Sequence, residues 1–157
     1  MVATYTAHKL QSQMEIRTVI WQPADAATAQ LVDLGQPQGA GNLCLPIATF
    51  RRFFAQITTA LLTGTGPTAF SIYAATAADG TGGVAVVTHA LGSLPNAEGD
   101  SVVLECDVEQ IREVLSTATH VGVWLDCNNN DDEVAVTFIR DEPEFPRAGL
   151  TADYTAA

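Results

Sequence analysis

Two neighbouring stretches decide the fold: Ser101–Val108, SVVLECDV, and His120–Cys127, HVGVWLDC. In the first, Val102, Leu104, Cys106 and Val108 fall on one face, while Ser101, Glu105 and Asp107 fall on the other. In the second, Val121, Val123, Leu125 and Cys127 alternate in the same way. Period-two alternation places successive side chains on opposite sides of a pleated backbone, so each stretch predicts a strand with one buried and one wet face. The segment between them breaks the period. Asp107–Leu115, DVEQIREVL, offers Asp107 as an N-cap, Gln110 three residues on, and Ile111, Val114 and Leu115 at helical spacing. That is the capping-box signature of a short helix.

Moving outward, the same alternation recurs in Glu133–Arg140, with Val134, Val136 and Phe138 together, and in Glu15–Trp21, with Ile16, Thr18 and Ile20 on one face. Ala69–Ala75 groups Phe70, Ile72 and Ala74, while Gln30–Leu34 and Val84–Thr88 are short β-branched runs. Turn signals separate them at Gly35–Asn42, Gly64–Pro67, Ala78–Gly83, Gly92–Asp100 and Cys127–Asp132. Glycine and asparagine supply the positive φ values of tight turns, and proline fixes the entry angle. Short strands spaced by such loops predict an all-β, jelly-roll-like β-sandwich with one short helix, not a βαβ fold. Phe50–Leu62, FRRFFAQITTALL, reads two ways. Phe50, Phe53, Phe54, Ile57, Ala60 and Leu61 form a helical stripe, which the pattern favours slightly; a strand would place Phe53, Ala55, Ile57 and Thr59 on one side.

The length of 157 residues fits one domain, and a chain this size buries about 70% of its unfolded surface without metal or disulfide staples. The organisation expected is an N-terminal arm over residues 1–12, a β-sandwich over 13–140, and an extended C-terminal arm over 141–157, where Pro143 and Pro146 forbid a central strand. Apolar residues make up 47% and charged ones 16%, too apolar for a disordered chain. With 7 Lys+Arg against 18 Asp+Glu, the net charge of −11 excludes nucleic-acid binding through a general positive field. Lys9 is the only lysine, which excludes a polybasic membrane patch. Met1–Leu10 lacks the apolar stretch of a signal peptide, and no run is long enough to span a bilayer. Cys44, Cys106 and Cys127 are odd in number with no CxxC pair, which reads as reduced thiols in a reducing cytoplasm, Cys106 and Cys127 serving as small core residues.

Several clusters invite chemistry. In Asp126–Glu133, DCNNNDDE, the oxygens of Asp126, Asn128, Asn130 and Asp132 recur at every second residue, as in a calcium loop. The sixth and twelfth positions, however, hold Asp131 and Thr137 where an EF-hand needs Gly and Glu, so a polar hairpin loop is the better reading. Ala78–Gly83 is glycine-rich but lacks the lysine and helix of a phosphate cradle. His8, His89 and His120 have no zinc spacing. Arg51 and Arg52, before Phe53 and Phe54, could clamp a ligand, although pairing with carboxylates is simpler. Asp141, Glu142 and Glu144 lie in a proline-broken tail, a poor cleft for an acid–base pair. No catalytic, cofactor or metal residue is therefore assigned, and a non-enzymatic protein is expected.

The order of segments carries a resemblance. RRFFAQITTAL (Arg51–Leu61), FSIYAATAADGTGGVAVV (Phe70–Val87), DSVVLECDVEQIREVL (Asp100–Leu115), THVGVWLDC (Thr119–Cys127) and VAVTFIRDEPEF (Val134–Phe145) together resemble small virion structural proteins of tailed bacteriophages, over about Phe50–Tyr154. The features shared are small residues Ala74–Ala78 before an Asp-Gly turn, a helical turn at Val108–Leu115, the strand His120–Val123, and a tail with Arg140, Asp141 and Pro143. The likeness is one of layout. It implies a capsid decoration (cement) protein, often jelly-roll-like and homotrimeric, and it implies that Phe50–Leu62 is a strand leading to a hairpin; the strand is adopted here. It carries over no functional residue. The function it implies is decoration of the outer capsid surface by bridging subunits of the major capsid protein, after synthesis in the host bacterial cytoplasm. The arms would add strands to a neighbour, and several copies would bind by avidity. A low-copy neck or tail component and a calcium-assisted carbohydrate-binding module are the alternatives.

Overall fold

The computed structural model describes residues 14–25, 28–34, 43–47, 50–90 and 94–143, with the backbone alone at Glu142 and Pro143. The expected N-terminal arm, the Gly35–Asn42 turn and the tail beyond Pro143 lie outside the described residues. The elements run β1 (Glu15–Trp21), β2 (Gln30–Leu31), β3 (Leu45–Pro46), β4 (Phe50–Leu61), β5 (Pro67–Ala75), β6 (Val84–Thr88), β7 (Ser101–Asp107), α1 (Val108–Val114), β8 (His120–Cys127) and β9 (Glu133–Pro143).

One sheet has the order β1-β9-β4-β7, and the other β2-β8-β5-β6, with β3 also on β8. β2 and β3 follow one another along β8. Gln30 and Leu31 face Leu125 and Trp124, and Leu45 and Pro46 face Val121 and His120. The Val32 N–H donates to the Val123 carbonyl at 2.9 Å, extending the first of these ladders. They act as one edge strand interrupted by a loop. Counted so, the first strand pairs with the last (β1 with β9), the second with the second-last (β2/β3 with β8), β4 with β7, and β5 with β6. This nesting results when one long antiparallel ribbon is wound into two sheets, which is the jelly roll. The chain is an all-β sandwich with one short helix.

The alternations define the core. Val121, Val123, Leu125 and Cys127 of β8, Phe70, Ile72 and Ala74 of β5, and Val134, Val136 and Phe138 of β9 are fully buried between the sheets. In β4, Phe53, Ala55, Ile57 and Thr59 are the buried set, while Leu61, which the helical stripe would have buried, is exposed. The strand wins because β9 and β7 flank it and satisfy its backbone on both sides. Local periodicity cannot register that long-range gain. Phe53 and Phe138 stack across the β4–β9 pair with centroids 6.4 Å apart. Between β5 and β6 the Ala78–Gly83 turn holds Gly80 and Gly82 at φ 87° and 66°, conformations that side chains disfavour.

Two devices close one end of the sandwich. There α1 begins with the expected capping box: Asp107 Oδ1 accepts from the Gln110 N–H at 2.8 Å, and Gln110 Oε1 accepts from the Asp107 N–H at 3.0 Å. Val108 and Ile111 then plug the core beside β7. At the same end buried Arg140 donates to the Pro46 carbonyl at 2.7 Å, pairs with Glu15, and lies 4.6 Å over the Phe50 ring. β9 runs to Pro143, so the sandwich extends three residues past the expected boundary at Arg140. Although β9 is central, Pro143 is compatible with it. Proline here ends the strand, faces Phe50 only, and lies beyond the β1 ladder, which stops at Arg140.

Candidate functional site

The outward face of the β1-β9-β4-β7 sheet follows from register. One row across it is Ile16, Ile139, Phe54 and Glu105; the next is Thr18, Thr137, Gln56 and Val103; the third is Ile20, Ala135, Thr58 and Ser101. Of these twelve positions only Glu105 is charged, in a chain of net charge −11. Thr18 and Thr137 share a hydroxyl hydrogen bond at 3.1 Å across the strand pair. Ile16, Ile20 and Val103 are 52%, 64% and 54% exposed. Charges flank these rows on the same side: Asp141, Arg52 and Asp107 form the next row at one end and Glu133 stands at the other, while Arg52 pairs with Glu105 and lies 5.2 Å over the Phe54 ring. Chemically the face can bury apolar and hydroxyl surface against a partner.

Reading β1 from sequence locates the strand and groups Ile16, Thr18 and Ile20, yet their outward orientation is not legible there. The opposite face carries Glu15 and Arg17, which look like the wet side. In the structure that side holds Val19 and Trp21 against the core, while Glu15 and Arg17 gather at the closed end around Arg140. Burial by itself would raise the Glu15 carboxyl. The positive charge and hydrogen bond of Arg140, with those of Arg17, outweigh it and hold the group below its ordinary value. The signal that finds the face is the partner row: Thr137 and Ala135 on β9 must point out once Val134, Val136 and Phe138 point in.

The Asp126–Glu133 loop joins β8 to β9 as a polar hairpin whose oxygens are engaged inside the protein. Asp132, fully buried, accepts at Oδ1 from the Thr63 and Gly64 N–H groups at 2.7 and 2.9 Å and from the Thr63 hydroxyl at 3.2 Å. Asn128 Oδ1 accepts from the Thr65 N–H at 3.0 Å, and Asp126 Oδ2 accepts from the Thr68 hydroxyl at 2.8 Å. The loop is thus a latch that holds the β4–β5 connection, a use of its carboxylates and amides that sequence spacing does not disclose. Asp126 Oδ1 and Asp132 Oδ2 are buried without a protein partner, yet among the described residues no group of three or more His, Cys, Asp and Glu side chains is placed to hold a metal.

The remaining candidates disperse. His120 is half-buried beside the Thr119 hydroxyl, and burial lowers its imidazole, partly offset by Asp79. His89 stands at the end of β6, and His8 lies outside the described residues. Arg52 pairs with Glu105 as the simpler reading expected, and with Arg51 and α1 it borders a polar groove of about 540 Å³. Asp141 is half-buried in β9; the Glu142 side chain and Glu144 lie outside the described residues. All three cysteines are buried free thiols, each pushed up to about 12 chiefly by burial. Cys44 packs on the outer side of the second sheet with Tyr73 and Ala75, where a Cβ on Gly122 would come within 2.9 Å of its sulfur. Among the described residues no helix is long and apolar enough to cross a membrane.

No family model matches the chain, and no curated protein matches it. Among solved structures, a Bacillus endospore appendage protein, from a family of disulfide-linked pili, aligns at 18% identity with a TM-score of 0.44, over 82% of this chain and 86% of that one.

Proposed function

We propose that this chain is a non-enzymatic structural protein of a virion, a capsid decoration protein that docks on shell subunits through the outward face of the β1-β9-β4-β7 sheet. The observation that supports this reading is that the three middle rows of that face hold one charge, Glu105, in twelve positions, in a chain of net charge −11. Uncharged, partly apolar surface costs little to desolvate, whereas every carboxylate taken from water must be repaired by a partner. An acidic remainder suits the outer surface of a particle, away from packaged DNA.

Area decides how such a face would be used. Four strands at about 4.8 Å spacing and five residues at about 3.4 Å rise cover roughly 320 Å² in projection. A stable interface takes about 800 Å² per partner. One face alone is therefore a weak contact, and firm attachment calls for several copies joined together, which is the physical reason for a homotrimer that grips several shell subunits. The test is binding of the full chain to shells that lack it. The double variant Ile16→Lys, Ile20→Lys keeps its fold and loses attachment on this reading; undiminished attachment would overturn the face as the docking surface.

A further inference from the structure

β1 is the outermost strand of its sheet and, among the described residues, pairs with β9 alone. Its sequence, EIRTVIW, contains neither proline nor lysine, and its ladder has no register shift. Those are three of the means by which proteins keep an edge strand from pairing with another chain. The inward charges Glu15 and Arg17 protect only its first half; Thr18–Trp21 is β-branched or aromatic throughout. Such an edge presents a row of backbone donors and acceptors to whatever extended segment can reach it.

Residues 1–13, MVATYTAHKLQSQ, lead directly into β1. They hold Lys9, the chain's only lysine, and no carboxylate, so they carry +1 while the rest of the chain carries −11 − 1 = −12. Val2, Thr4, Tyr5 and Thr6 are strand formers. To lie antiparallel on its own β1, the segment would have to reverse within His8–Gln13, HKLQSQ, which offers no Gly, Pro, Asn or Asp for a tight turn. A parallel return would need a far longer connection. Drawn out, thirteen residues reach about 43 Å, while a seven-residue strand measures about 24 Å. The segment can leave one copy and cover the edge of another.

We propose that the outer edge of β1, unpaired among the described residues, receives residues 1–13 of a second copy of this chain as an added strand. A cationic, carboxylate-free segment then meets an acidic body, and self-association needs no shell, so the inference goes beyond the docking role above. Sedimentation equilibrium of the full chain, combined with hydrogen exchange at β1, tests it against the double variant Thr4→Pro, Thr6→Pro, which blocks strand addition while altering only residues outside the described sandwich. The expected result is an oligomer whose Glu15–Trp21 amides exchange about tenfold more slowly than in diluted monomer. The proline variant sediments as a monomer whose melting temperature equals that of dilute, dissociated wild type. Lys9→Glu weakens association severalfold, and more so at low salt. A wild-type monomer at all concentrations would overturn the proposal, whether or not β1 is protected, and so would association that survives both prolines.

Discussion

Replacing Asp132 by alanine removes a fully buried acceptor from two backbone N–H groups and one hydroxyl, whose residues Thr63 and Gly64 are themselves exposed. The Thr63 hydroxyl can rotate to another partner, but the Thr63 and Gly64 N–H groups cannot. Because water can reach these donors, the loss is that of two hydrogen bonds to a charged acceptor at the low end, about 1.5 kcal/mol each, so the pair costs about 3 kcal/mol. Deleting the carboxylate also removes Oδ2, which is buried without a partner, and recovers about 1 kcal/mol. The net loss is about 2 kcal/mol, which for a domain of this size lowers Tm by about 4–8 °C. Asp132→Asn keeps one carbonyl oxygen for the two N–H groups, and its loss is about half as large. Thermal melts followed by circular dichroism measure both. A fall under about 2 °C for Asp132→Ala would refute the latch. Calcium provides the second arm, because Asp132 Oδ1 and Asn128 Oδ1 are engaged by Thr63, Gly64 and Thr65, and among the described residues no group of three or more His, Cys, Asp and Glu side chains is placed to hold a metal. The wild-type Tm is expected to be the same in millimolar calcium as in chelator, whereas a site saturated a hundredfold would add about 2.7 kcal/mol. A calcium-dependent rise of that order would replace the latch by a metal site and revive the carbohydrate-binding alternative.

Other expectations follow from single groups. Asp107→Ala removes the N-cap of α1 and should cost about 1 kcal/mol by chemical denaturation, while Asp107→Asn should cost less. The Glu15 carboxyl titrates below its ordinary value of 4.5 in the folded protein, so its ion pair contributes stability above that pH and loses it as pH falls through the folded value. The Tm gap between wild type and Glu15→Gln should therefore shrink between pH 6 and pH 3; a gap independent of pH would count against the Arg140 pairing. The three thiols, pushed up to about 12, are almost wholly protonated at pH 8 and should resist iodoacetamide in the native state, then react in urea. Rapid labelling of the native protein would mean that at least one is reached by solvent.

Strand positions were legible where one face is buried and the other is not. β7 declares itself because Leu104 and Cys106 alternate with Glu105 and Asp107, and β8 and β9 because Val121, Val123, Leu125, Val134, Val136 and Phe138 recur at every second position. The helix start was legible too, since Asp107 and Gln110 answer each other within one turn. β4 was ambiguous because its aromatic and β-branched residues satisfy both periods, and only its place between β7 and β9 settles the matter. β3, two residues long, has no pattern to read; it is strand because β8 pairs with it. The candidate docking face was the least visible. Nothing local says that Ile16 and Ile20 point away from the core, and the charges of Glu15 and Arg17 argue the opposite until Arg140, far off in sequence, supplies their partner. The carboxylate-rich loop was read correctly as a turn, while its grip on Thr63 and Gly64 required the tertiary structure.

The copy number of this chain in purified phage particles, by quantitative mass spectrometry against the major capsid protein, bears most directly on the central proposal. A decoration protein docking through the outward face of the β1-β9-β4-β7 sheet is expected at a ratio comparable to the shell protein. A small fraction would move it to the neck or tail, and its complete absence from the particle would contradict the account.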